Sequence, residues 1–177
     1  MPKRRRLPRR VRPRPPRPTR SSKAGAGAVG FESLSLKGRA LRLLAGREHS
    51  RAELERKLAA HETEPGDLAR ALDELQAKGF IDERRVVESV MHRRASRLGA
   101  ARVKQELQTK GIGAEAVAEA IDALRGTEAE RAREVWRRKF GEPASDPAGR
   151  AKQMRFLVAR GFSADVVRRV VMANDEG

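Results

Sequence analysis

The stretch Leu157-Val158-Ala159-Arg160-Gly161-Phe162 has the form of a helix ending. A leucine on a helix face is followed four residues later by a glycine, and then by a large apolar residue. Glycine takes the left-handed conformation that closes a helix at little steric cost, and the apolar residue after it folds back on the leucine of the last turn. The same spacing recurs at Leu107, Gly111 and Ile112, and again at Leu75, Gly79 and Phe80. Three endings of one kind in 177 residues imply a helical array.

Working outward from these endings, apolar residues recur at helical spacing from Ser33 onward. Leu36, Ala40, Leu43 and Leu44 form one face of a first helix that stops at Gly46. Ser50 and Glu53 have the spacing of a capping box, opening a second helix with Leu54 and Leu58 inward. Pro65 marks the start of a third, carried by Leu68, Leu72 and Leu75 to Gly79. Asp82 caps a fourth with Val86 and Val90 inside. Gly99 breaks the chain before a fifth with Val103 and Leu107, and Val117, Ile121 and Leu124 carry a sixth to Gly126. Thr127 and Glu130 read as a second capping box, before a seventh helix with Ala132, Val135, Trp136 and Phe140. Asp146-Pro147 opens an eighth with Ala151, Met154, Leu157 and Val158. Ser163 opens a ninth with Val166, Val167, Val170 and Val171. No stretch sustains the alternation of a half-buried strand.

The helices fall into register. Adding 49 to Leu58, Leu68, Leu72 and Leu75 gives Leu107, Val117, Ile121 and Leu124. Adding 50 to Leu107, Gly111, Ile112, Val117 and Ile121 gives Leu157, Gly161, Phe162, Val167 and Val171. The fold class is therefore all-α: three tandem three-helix repeats stacking into an elongated, curved body. The blocks are residues 33–80, 81–126 and 127–177, preceded by a tail over 1–32.

Charge separates tail from body. The net charge is +16, and residues 1–30 hold eleven basic residues and no acid. Arg4, Arg5, Arg6, Arg9, Arg10, Arg12, Arg14, Arg17 and Arg20 lie there among six of the nine prolines, followed by a Gly/Ala-rich run. Such a segment buries no core and is expected to be disordered, either as a non-specific DNA-binding arm or as a solubilising extension. The absence of cysteine excludes disulfides, thiolate metal sites and thiol nucleophiles. No apolar run is long enough for a membrane span, and a cytoplasmic location is expected. His49, His61 and His92 have no metal-ligand spacing, and no nucleophile, base and stabiliser can be assembled. The expectation is a non-enzyme without cofactor or metal.

The candidate binding residues are cationic. Arg93, Arg94 and Arg97 close the fourth helix, and Arg102 and Lys104 begin the fifth. Together they form a cationic edge suited to phosphates or an acidic surface, or they merely complement a helix dipole. Arg137, Arg138 and Lys139 at the end of the seventh helix carry the same two readings. Arg155 and Arg160, at the opening motif, are further candidates, and Arg155 could equally pair with an acid between helices. Trp136 and Phe140 fall on the face of Ala132 and are read as core. With aromatics at 3% and no tyrosine, a strand-tracking stacking binder is disfavoured.

Several motifs resemble the RecX family, regulators of the bacterial recombinase RecA. Arg47-Glu48-His49-Ser50 with Glu53-Leu54 and Lys57-Leu58 resembles its first-repeat signature. Gly79-Phe80-Ile81-Asp82 with Arg85, then Arg102, Val103, Glu106-Leu107 and Lys110-Gly111-Ile112, resembles its second. Lys139-Phe140-Gly141-Glu142-Pro143 and Arg155-Phe156-Leu157 with Arg160-Gly161-Phe162 resemble its third. The chain departs from the family pattern at Glu83, at Val86 and at Leu98-Gly99-Ala100. The resemblance implies a non-enzymatic modulator that binds the RecA–single-stranded DNA filament along its groove and inhibits strand exchange and ATP hydrolysis. Its setting would be DNA repair and the SOS response, and the chain is expected to be a monomer. A general nucleic-acid-binding protein driven by the basic arm is the rival expectation.

Overall fold

A computed structural model describes residues 34–172; the expectations for the arginine-rich arm lie outside them. Among the described residues the chain forms nine α-helices and no strand. They are α1 Leu36–Gly46, α2 Arg51–Leu58, α3 Asp67–Ala77, α4 Glu83–Arg94, α5 Ala100–Thr109, α6 Ala114–Arg125, α7 Glu128–Phe140, α8 Pro147–Ala159 and α9 Ala164–Met172.

The three glycine endings are built alike. At the end of α8 the Gly161 amide donates to the Val158 carbonyl at 2.9 Å and the Phe162 amide to Leu157 at 3.3 Å. Gly111 and Ile112 repeat this pair on Gln108 and Leu107, and Gly79 and Phe80 on Gln76 and Leu75. The glycines sit at φ of +75° (Gly79), +72° (Gly111) and +82° (Gly161), where a side chain is strained. Ile112 and Phe162 fold back into the core as expected, but Phe80 does not: it is 48% exposed and Ile81 is buried in its place. The backbone motif requires only an amide at that position, so the neighbouring side chain can supply the apolar contact.

The helix starts follow the side-chain chemistry at most positions. Ser50 accepts from the Glu53 amide while the Glu53 carboxylate accepts from the Ser50 amide, each at 3.1 Å. Asp82 accepts from Arg84 and Asp146 from Gly149, both at 2.8 Å, and Pro147 is the first residue of α8. Two expectations are corrected. The Thr127–Glu130 capping box is absent, because Thr127 has ψ of 7° instead of the extended value of a capping residue and turns its hydroxyl back toward the Leu124 carbonyl. Helix α3 begins at Asp67 rather than at Pro65, and the Glu62 carboxylate accepts from the Gly66 and Leu68 amides there.

The core is divided into three. Ala40, Leu54, Leu58, Leu68, Leu72, Leu75 and Ile81 form the first cluster, around α1, α2 and α3. Val86, Val90, Val103, Leu107, Ile112, Val117, Ile121 and Leu124 form the second. Ala132, Trp136, Leu157, Phe162, Val166, Val167, Val170 and Val171 form the third, where the Trp136 indole donates to Gln153 at 3.1 Å. Each cluster lies within one repeat, except that Ile81, the first residue of the second block, packs in the first cluster. The repeats are held to one another chiefly by polar contacts, described below.

The endings give a graded test. Nothing lies within 4 Å of a Cβ added at Gly79, so Gly79→Ala should lose only the conformational preference, about 1 kcal/mol in urea denaturation. A Cβ at Gly161 would sit 2.6 Å from the Arg102 amide nitrogen, so Gly161→Ala should destabilise distinctly more.

Candidate nucleic-acid interface

An α-helix leaves its first amides and last carbonyls without internal partners. Between the second and third repeats these groups satisfy one another. The Gly99 amide, just before α5, donates to the Arg160 carbonyl at 2.9 Å, and the Ala101 amide to the Gly161 carbonyl at 3.2 Å. The Arg102 Nε donates to the Ala159 carbonyl at 3.2 Å. The positive end of α5 thus meets the negative end of α8. The approach is so close that a Cβ at Gly99 would lie 2.2 Å from backbone atoms of Gly161 and Phe162.

The first turn of α7 completes this joint. Glu128 is buried, accepting from the Ala100 amide at 3.1 Å and from the Ser163 hydroxyl at 3.0 Å. Arg131 donates to the carbonyls of Ala95 at 2.7 Å, Leu98 at 2.6 Å and Leu124 at 2.8 Å. An anion therefore lies at a helix start and a cation at helix ends, the arrangement that helix dipoles favour.

The joint between the first and second repeats uses the same elements one repeat earlier, with side chains in place of backbone. The Ser50 hydroxyl donates to the Lys110 carbonyl at the end of α5, and Arg56 donates to the Thr109 carbonyl at 3.1 Å. The buried Lys110 ammonium pairs with Glu53 at 2.8 Å, and Arg47 reaches the same carboxylate oxygen at 3.0 Å. Burial alone would raise the Glu53 pKa, but hydrogen bonds from Arg47, Lys110 and the Ser50 amide outweigh it and bring the group from 4.5 down to about 2. His49 is buried beside it, with Nδ1 unpaired at 3.8 Å from the carboxylate. Burial, then Arg47, lowers its pKa and keeps it neutral near pH 7.

These joints sort the candidate cations. Arg94 pairs with Glu106 at 2.9 Å, tying α4 to α5, and Arg102 is committed to the second joint. Arg137 and Arg138 share Glu134, at 3.7 and 2.8 Å. Exposed Arg93 bonds its own helix, through the Ser89 carbonyl at 3.0 Å. Lys104 faces a separate depression against α6, beside Asp122 and Arg125. Arg155 is exposed on α8. Four candidates converge: Arg97 from the turn after α4, Arg138 and Lys139 from α7, and Arg160 after α8 line one groove of about 300 Å³, floored by Val135 and Phe156.

Phe156 belongs to a sequence motif that by itself assigns it no role, yet it organises the groove. Arg160 Cζ lies 3.6 Å from the centre of its ring, and Phe140 packs edge-on against it at 5.0 Å and 78°. The four-residue spacing from Phe156 to Arg160 on one helix end is the signal that foretells this stack. Arg131, Glu128 and the Glu53–Lys110 pair had no such signal, because their partners are distant in sequence.

Among the described residues no His, Asp or Glu cluster could hold a metal ion, and no helix is long and apolar enough to cross a membrane. Comparison with known proteins gives one result throughout. Family models for the first, second and third three-helix domains of RecX match residues 37–75, 82–121 and 127–171. The regulatory protein RecX of Leptothrix cholodnii is 59% identical over 142 residues, covering 80% of this chain and 90% of that protein. That of Ralstonia nicotianae is 50% identical over 148 residues, covering 84% and 93%. A crystal structure of RecX from Lactobacillus salivarius shares the fold with a TM-score of 0.63 at 19% identity, over 79% of this chain and 94% of that one.

Two outcomes follow from the joints. Gly99→Ala should separate the second and third repeats while leaving their cores intact, read as faster hydrogen exchange at the Ala101 amide with unchanged helical content. Glu53 has a depressed pKa, so its contribution is complete above pH 4.5 and is lost as the pH falls toward about 2. His49, also depressed, adds a loss that begins as the pH falls below 6.5. In an acid titration Glu53→Gln should lower stability at neutral pH and flatten the segment below pH 4.5.

Proposed function

Because the chain belongs to the RecX family, we propose that this regulatory protein acts on the RecA–single-stranded DNA filament and inhibits its ATP hydrolysis and strand exchange. The observation that carries the reading is the ordered run of all three RecX domains along one chain. The mechanism is multivalent contact: successive repeats lie across neighbouring subunits of the filament and obstruct partner-strand entry or filament growth. The candidate cations, Arg97, Arg138, Lys139 and Arg160 foremost, supply contacts to phosphates or to acidic filament surface. The protein works as a cytoplasmic monomer, without catalysis or cofactor.

A second reading is favoured by the placement of charge. Eleven basic residues and no acid fall in residues 1–30, enough to drive non-specific nucleic-acid binding by the arm alone. Titrating RecA ATP hydrolysis on single-stranded DNA separates the two. The full chain and a version lacking residues 1–30 should both inhibit it. Inhibition by neither, with salt-sensitive DNA binding by the full chain alone, would favour the arm.

A further inference from the structure

We infer that the groove between the second and third repeats is a clamp for a single nucleotide of an unpaired DNA strand, with the phosphate held by Arg97, Arg138 and Lys139 and the base stacked on Arg160. This deepens the filament reading and rests on it for the identity of the strand as DNA.

Charge points to an anion. Four of the residues lining the groove are cationic and none is acidic. Arg138 has the only carboxylate partner among them, Glu134, which it shares with Arg137. Arg97 and Lys139 have no acid within ion-pair distance among the described residues, so gathering these charges is unfavourable until a polyanion neutralises them. Arg138 and Lys139 lie in the last turn of α7 and Arg138 is ion-paired, yet no helix end and no acid requires cations of three separate segments to line one groove.

Shape points to a base as well as a phosphate. The Arg160 guanidinium is already stacked face-on over Phe156 and donates to the Phe156 carbonyl at 3.2 Å. Phe140 holds the ring from its edge. The inner face of the guanidinium is therefore occupied, and its outer face is a rigid, charged plane of the kind on which unstacked bases lie. An acidic protein side chain would need the charge but not the plane. A volume of about 300 Å³ is of the size of one nucleotide. With few aromatic residues in the chain, a single stacking site is what it can build.

The test uses the full chain and an oligothymidylate, which on ultraviolet irradiation couples through thymine to side chains in direct contact with it, arginine and lysine included. Mass spectrometry separates adducts of residues 1–30 from those of the helical body, and should place the body's adduct on Arg160, against whose outer face the base lies; unlabelled single strand should compete better than the matching duplex. The double variant Arg97→Glu with Lys139→Glu changes exposed side chains and should leave circular dichroism unchanged. It should abolish the Arg160 adduct and lower the slope of log affinity against log salt by about 0.7, for the one phosphate no longer neutralised. A body adduct only outside the groove, or one unaffected by the double variant, overturns the clamp. If the Arg160 adduct is absent but the double variant still weakens inhibition of RecA, the groove holds an acidic protein surface and the nucleotide assignment is overturned. If the Arg160 adduct forms but the full chain leaves RecA unaffected, the clamp stands and the filament reading falls.

Discussion

Unpaired groups at helix ends are the constraint on which this molecule depends. Among the described residues nine short helices present many first amides and last carbonyls, and three small cores cannot bury them without partners. Some ends are closed locally, by serine and aspartate caps and by glycine turns. The rest are closed by the next repeat, the start of α5 meeting the end of α8 and the start of α2 meeting the end of α5. The repeat length of about 50 residues is thus also a matching condition, since it brings each second helix end to end with its counterpart.

The same condition assigns roles to charged residues of similar appearance. Arg131 and Arg102 lie near helix-end carbonyls and serve the joint; Lys110 and Arg47 lie near a buried carboxylate and serve the other. Arg97 and Lys139 have no acid within ion-pair distance among the described residues, although Lys139 lies in the last turn of α7. A convergent surplus of cations that no acid neutralises is what distinguishes a binding groove from a solvated, ion-paired face.

Local chemistry was readable in the sequence. The glycine endings, the Ser50–Glu53 box, the Asp82 and Asp146-Pro147 starts and the three-repeat register all depend on residues within a few positions of one another, and the structure contains each. Thr127 satisfied the same local rule yet forms no box, because the tight link from α6 holds ψ at 7°, far from the extended value of Ser50, and its hydroxyl turns to the Leu124 carbonyl. Phe80 obeyed the ending's spacing but lost its core place to Ile81. The candidate site was legible as residue types and not as an arrangement. Arg94 and Arg97 are three residues apart, yet Glu106 engages one and the groove receives the other. That choice is made by residues of another helix.

The two joints share a design but differ in stiffness, and this bears on where a groove can work. The first is held by side chains, so its geometry depends on rotamers and on the ionisation of Glu53. The second is held by backbone hydrogen bonds across a contact that only glycine permits. Arg97 lies two residues before Gly99, and Arg160 provides the carbonyl that Gly99 binds. A 2.9 Å hydrogen bond between main chains thus ties the opposite walls of the groove directly, beside the Ala101–Gly161 bond and the side chains of Arg102, Glu128 and Arg131 at the same joint. Flexible cations held on such walls lose less freedom on meeting a phosphate than cations on independently moving repeats. A cationic groove at the first joint would lack that advantage.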